Sequence, residues 1–247
     1  MTTPDAHWRP AHEAPEPETV PGGWASFAAT VREIVVVVVM AVVLSFIVKT
    51  WLLQAFYIPS GSMENTLLIG DRVIVNKLVP GAMDLHRGDI VVFEDPGGWL
   101  PPSQRLDRGP VINGIQKGLA YVGLLPDTAE DHLIKRVIGL PGDAVACCDE
   151  QGRVSVNGVG IDEPYLRPGD APSAITFRVT VPAGRVWVMG DHRSNSEDSR
   201  YQDGGDGASG SVPLDRVTGR AVAIVWPLSR WSWLDAPGST FASVPAP

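Results

Sequence analysis

Cysteine is almost missing from this 247-residue chain: Cys147 and Cys148 are its only two, and they are adjacent. Two cysteines cannot build a disulfide framework, and a C-C pair lacks the spacing of a zinc site. They form either a vicinal disulfide or a pair of thiols. Histidine is scarce as well. Its five residues, at 7, 12, 86, 132 and 192, show no H-E-x-x-H or comparable grouping, which argues against a metal enzyme. Positive charge is in deficit, with 20 Lys and Arg against 28 Asp and Glu, a net −8 that argues against a nucleic-acid footprint. No internal repeat is found, and the C-terminal region offers no second membrane-length apolar run.

What is present points to a folded, turn-rich chain. Hydrophobic residues make up 44%, enough for a real core, and 26 Gly with 22 Pro favour short strands and turns over a helical bundle. Residues 1–30, rich in Pro, Glu and Ala, read as a disordered tail. Then comes I-V-V-V-V-V-M-A-V-V-L-S-F-I-V, Ile34 to Val48, with apolar character resuming through Leu53. That is about 20 residues, enough to span a bilayer core. A cleaved signal peptide is disfavoured by the long acidic tail before it and by the lack of a small-residue cleavage site after it. A strand is disfavoured by length. The run reads as a transmembrane anchor over 31–54, with Lys49 able to snorkel beside Trp51. Arg32 and Lys49 nearly balance across it, so charge leaves its orientation open.

Beyond the anchor, short apolar bursts punctuated by Gly, Pro and Asp predict antiparallel β structure: 72–77, 89–93, 133–140, 154–156, 185–190 and 221–226. Within a Pro/Gly-rich insertion at 94–131, Gly114 to Leu125 has the pattern of a short amphipathic helix. The last dozen residues read as disordered.

Three stretches carry candidate chemistry. P-S-G-S-M-E-N-T-L-L-I-G-D, Pro59 to Asp71, holds two serines two residues apart with no histidine near them. A serine nucleophile needs a base within hydrogen-bond reach, and an unprotonated lysine serves where histidine does not. Such a lysine must be desolvated to be neutral near pH 7. Lys135, in H-L-I-K-R-V-I-G-L-P-G-D, is flanked by Leu133, Ile134, Val137 and Ile138. Strand alternation puts Lys135 and Val137 on one face, with Ile134 and Arg136 on the other. A solvent-facing lysine on an edge strand fits the same residues equally well. The third stretch, G-D-H-R-S-N-S-E-D-S-R-Y from Gly190 to Tyr201, is either a solvated polar loop or a supplier of hydrogen bonds and an ion pair that orient a buried base.

Taken together and in order, these stretches resemble type I signal peptidases, the membrane-bound Ser-Lys endopeptidases of signal-peptide removal. S-G-S-M-E-N-T-L matches the nucleophile box, and G-D-R-V-I-V-N-K and R-G-D-I-V-V-F match the strands after it. I-K-R-V-I-G-L-P-G-D matches the lysine box, and G-D-H-R-S-N-S-E-D-S-R the last box. The resemblance implies Ser62 as nucleophile and Lys135 as general base. It gives the oxyanion hole to the Ser60 hydroxyl and the Ser62 backbone N–H. It implies that Ser196 orients Lys135, that Asp198 and Arg200 form a supporting ion pair, and that Gly190 permits close backbone packing. Ile58, Pro59, Met63, Leu67 and Ile134 would line a small pocket for alanine-like side chains.

The implied fold is mainly β: an antiparallel catalytic domain of the signal-peptidase/LexA-like type, preceded by one transmembrane helix. The catalytic domain would occupy 55–143 and 185–228, a small inserted β subdomain 144–184, and a C-terminal tail 229–247. The resemblance implies no cofactor. Its partners would be preprotein signal peptides and the lipid bilayer, with the secretion translocon as a further candidate. It places the N-terminus in the cytoplasm and the catalytic domain outside the cytoplasmic membrane. Two residues depart from the family pattern: Asn65, where proline is common, and His192, where asparagine is frequent. His192 sits in a box whose implied role is structural, so it is not read as the base. Q-D-G-G-D-G-A-S-G-S after Tyr201 reads as a flexible surface loop. The Trp-rich W-P-L-S-R-W-S-W at 226–233 is either an interfacial segment or a set of ordinary core or surface tryptophans.

Overall fold

The computed structural model describes residues 23–100 and 132–247. The expected Gly114–Leu125 helix and the first 22 residues of the expected tail lie outside the described residues. The chain divides between Val43 and Leu44 into two compact units.

Helix α1 spans Gly23–Trp51. Valine is only a modest helix former, but a helix satisfies its backbone hydrogen bonds within the segment, so the apolar run needs no neighbouring strand. Among the described residues α1 is the one helix long and apolar enough to cross a membrane, and none of its apolar stretch, Phe27–Val48, is buried. The helix already includes residues 23–30, which the composition assigned to the disordered tail. It ends before Leu53 and Gln54, which the sequence placed in the anchor and which belong to the sheet instead.

The strands that follow are β1 (Leu53–Tyr57), β2 (Arg72–Asn76), β3 (Ile90–Glu94), β4 (His132–Gly139), β5 (Ala144–Cys147), β6 (Val154–Val156), β7 (Val159–Gly160), β8 (Phe177–Thr180), β9 (Arg185–Met189), β10 (Val212–Pro213), β11 (Val217–Trp226) and β12 (Ser232–Trp233). The larger sheet runs β1-β2-β11-β3-β4-β9-β10, with β12 on β11; its described pairings are antiparallel. The smaller sheet runs β7-β6-β5-β8. Strand β2 alternates inward Val73 and Val75 with more exposed neighbours, as a strand covered on one face should. Strand β4 differs: from Leu133 to Gly139 every residue is buried, because β3 and β9 flank it and both faces are covered.

Val145, Val154, Val156 and Val179 of the smaller sheet share a core cluster with Ile138, Trp187 and Met189 of the larger one. Gly139 allows that approach, since a Cβ there would lie 2.6 Å from Val145 Cγ2. A separate cluster, built from Phe56, Ile58, Met63, Leu67, Val73, Val75, Ile90, Val92 and Ile134, holds the segment after β1 against β4.

The C-terminal residues are not a loose tail. They include β12 and a helical turn, Gly238–Phe241, and Val244 is buried with the smaller sheet's core. Arg87 and Asn157 both donate to the Pro245 carbonyl. Apolar contact and backbone acceptors order a stretch whose Pro, Ser and Ala content alone suggested disorder. The glycine-rich loop after Tyr201 is likewise pinned, with Arg185 Nη1 donating to the Ala208 and Ser211 carbonyls at 2.8 and 2.9 Å. Cys147 and Cys148 are joined in a disulfide. Trp226, Leu228, Trp231 and Trp233 are exposed, which removes the reading of these tryptophans as core.

Candidate active site

Ser62 lies in the connection between β1 and β2, just before a tight turn closed by Leu67 N–H donating to the Met63 carbonyl at 2.8 Å. Ile58 exchanges backbone hydrogen bonds with Gly70 and Asp71, so both ends of the nucleophile loop are closed together. Lys135 comes from β4, where it pairs in register with Val91 of β3. An interior strand rules out the edge-lysine reading, and Lys135 is only 4% exposed. Its Nζ lies 2.7 Å from Ser62 Oγ and donates to the Ile134 carbonyl at 3.1 Å.

Burial is the largest influence on this amine and drives its pKa down. The carboxylates of Asp198 and Asp191 oppose the fall, Arg200 assists it, and the outcome is about 8 against an ordinary 10.5. A serine hydroxyl within hydrogen-bond reach of an amine that is partly neutral near pH 7 is the arrangement needed to make serine nucleophilic.

Behind the pair stands the loop after β9. Arg200 grips Asp198 with two bonds of 2.8 Å, and both side chains are fully buried. Asp198 Oδ2 also accepts from Gly190 N–H at 2.9 Å and from Ser196 Oγ at 2.8 Å. The hydrogen bond that fixes Ser196 therefore goes to Asp198, whose charge in turn raises the Lys135 pKa. A Cβ on Gly190 would lie 2.3 Å from Ser196 Oγ and 2.5 Å from the Ser62 carbonyl, so only glycine fits.

A cavity of about 110 Å³ opens beside the pair, lined by Phe56, Ile58, Pro59, Ser60, Ile134 and Lys135 among others. Ser60 is exposed at its edge. Met63 and Leu67, expected in the lining, are instead fully buried in the cluster that also contains Ile58 and Ile134.

Sequence reasoning missed a second buried ion pair. Arg136 forks onto Asp191 at 2.8 and 2.6 Å, donates to the Gly88 carbonyl and lies over the Tyr165 ring at 4.1 Å. The signal was available: an arginine beside Lys135 in an apolar strand needs a carboxylate partner if both faces are buried. Asn65 has φ +93°, which proline's fixed ring cannot adopt, and its amide donates to the Tyr165 and Leu166 carbonyls. His192 reaches the Gly61 carbonyl through Nδ1 at 3.0 Å.

A family model described as signal peptidase, peptidase S26, matches residues 31–226. The chain belongs to the signal peptidase family. It is 36% identical over 225 residues to a probable signal peptidase I of Mycobacterium leprae, covering 81% of this chain and 77% of that protein. It is 38% identical over 222 residues to the signal peptidase I of Mycobacterium tuberculosis H37Rv, covering 82% and 75%. A solved signal peptidase I from Enterococcus faecalis is 25% identical and covers 55% of this chain and 95% of that one, with a TM-score of 0.34. As a signal peptidase, the chain is a serine endopeptidase that acts on signal peptides.

Proposed function

We propose that this signal peptidase is a membrane-anchored Ser-Lys enzyme that cleaves exported preproteins after Ala-x-Ala-type sites. The observation that carries the proposal is the 2.7 Å approach of Lys135 Nζ to Ser62 Oγ in a buried site. Neutral Lys135 takes the hydroxyl proton as Ser62 Oγ attacks the scissile carbonyl carbon. The resulting oxyanion is stabilised by the Ser60 hydroxyl and the Ser62 N–H. The lysine ammonium then returns its proton to the departing amine, leaving an acyl-enzyme on Ser62. Water, deprotonated by the same lysine, releases the signal peptide as a free acid.

The cavity of about 110 Å³, with Ile58 and Ile134 on its walls, suits a methyl or hydroxymethyl side chain and not an aromatic one. Ser196, Asp198, Arg200 and Gly190 are assigned to holding the base and the loop around it. The apolar stretch of α1, 22 residues from Phe27 to Val48, reaches about 33 Å, matching a bilayer core of about 30 Å. The reading puts the N-terminus in the cytoplasm and the catalytic domain outside, where translocated preproteins emerge. Exposed Trp226, Trp231 and Trp233 suit a membrane interface.

The test uses purified full-length protein in detergent, a preprotein with an Ala-x-Ala site, and mass analysis of the products. Cleavage should follow the second alanine, stop when that alanine becomes phenylalanine, and vanish in Ser62→Ala. Cleavage elsewhere, or turnover by Ser62→Ala, would remove the proposal.

A further inference from the structure

The loop after β9 also touches the nucleophile loop through His192. The Gly61 carbonyl accepts from Glu64 N–H at 3.1 Å and lies 3.0 Å from His192 Nδ1. Glu64 Oε2 is 3.2 Å from the same Nδ1. On the other side of the ring, Arg167 Nη1 is 3.2 Å from Nε2. A guanidinium only donates, so Nε2 is the acceptor and the ring proton sits on Nδ1, between the Gly61 carbonyl and the Glu64 carboxylate. Arg167 is itself placed by its backbone N–H donating to the Asp191 carbonyl at 3.0 Å and by an ion pair to Glu64 at 3.6 Å. One residue further along the nucleophile loop, His192 N–H donates to the Ser62 carbonyl at 3.1 Å.

The Gly61 carbonyl and the Ser62 N–H belong to one planar peptide unit. In a trans unit the two point in opposite directions, so a donor fixed on the oxygen fixes the direction of the N–H. Hydrogen bonds to a carbonyl also polarise its amide and strengthen the N–H as a donor. We infer that His192, held in its Nδ1–H form by Arg167, is a positioning residue that orients and polarises the Gly61–Ser62 peptide so that the Ser62 N–H meets the oxyanion. The inference rests on the assignment of that N–H to the oxyanion hole. His192 has no direct bond to Ser62 Oγ here, and it acts on the transition state through the backbone.

This role makes demands that a packing role does not. An interaction realised only as charge develops on the oxyanion lowers kcat and leaves KM unchanged when it is removed. Losing one such hydrogen bond, worth about 1 kcal/mol, corresponds to roughly a fivefold loss of kcat. Asparagine carries its amide nitrogen at the same branch position as the imidazole Nδ1, whereas glutamine carries it one methylene further out.

Steady-state kinetics on purified full-length protein, together with melting temperatures, therefore separate the possibilities. His192→Ala should lose about fivefold in kcat with KM near the parent's and a melting temperature lowered by only the roughly 2–4 °C that one lost hydrogen bond costs. His192→Asn should recover most of that loss and His192→Gln should not. Arg167→Ala, at a half-exposed position, should lose a smaller part by freeing the ring proton to move. If His192→Ala retains parental kcat, or if its loss follows a lowered melting temperature that Asn does not repair, the inference is overturned. Ser62→Ala run alongside keeps the two levels apart: turnover there removes the Ser-Lys reading itself, whereas an inactive Ser62→Ala beside an unimpaired His192→Ala removes only the role of His192.

Discussion

Replacing Lys135 by methionine should make the protein more stable while abolishing its activity. Lys135 is almost completely buried, and burial lowers its pKa from 10.5 to about 8. At 1.36 kcal/mol per pH unit, that fall means the folded state is destabilised by about 3 kcal/mol when the lysine is charged. Methionine matches the unbranched stem without the charge. It forfeits the hydrogen bonds to Ser62 Oγ and to the Ile134 carbonyl, each worth about 1 kcal/mol, which leaves a net gain of about 1 kcal/mol. For a protein of this size the gain corresponds to a melting temperature higher by roughly 2–4 °C.

The pH dependence fixes the cause. Below pH 8 both folded and unfolded chains hold the proton, so the full penalty is present. Between pH 8 and 10.5 the folded state alone releases it, and the parent's stability rises relative to the variant. Above 10.5 the charge penalty is gone. Melting of parent and Lys135→Met in the same detergent, at several pH values from 7 to 10.5, measures this directly. A variant no more stable than the parent at pH 7, or a difference that stays constant across the series, would refute the account of a desolvated base.

Turnover by the parent should rise with pH through about 8, since the neutral amine is the active form; a flat profile from pH 6 to 9 would contradict that assignment. Asp198→Asn should move this limb to lower pH, because the Asp198 charge raises the Lys135 pKa. The same change should destabilise the fold by about 3–5 kcal/mol by leaving Arg200 buried without its partner, measurable by denaturant titration. Gly190→Ala should lower both stability and kcat, because its Cβ would overlap Ser196 Oγ and the Ser62 carbonyl; parental kinetics in that variant would show that the loop can yield.

The sequence made local and patterned features legible. The Val run, the alternating strands and the five boxes in order led to the mainly antiparallel fold and to the family. Lys135 stood out because a lysine within Leu133-Ile134 and Val137-Ile138 contradicts its surroundings. Whether it was buried could not be read, since that depends on β3 and β9 flanking β4, and those pairings join segments far apart in the chain. The same limit hid the contacts of Arg136 with Asp191 and of His192 with Gly61, whose partners are 55 and 131 residues away. Composition misled at the C-terminus, where Val244 and the Pro245 carbonyl find partners on surfaces built from other strands.

The central claim is that Lys135 is the base for Ser62. Single-turnover cleavage of an Ala-x-Ala preprotein by purified Lys135→Ala, across pH 7 to 10, tests it most directly. The account predicts no cleavage at any pH while the variant stays folded. Substantial cleavage at the Ala-x-Ala site by that variant would contradict it.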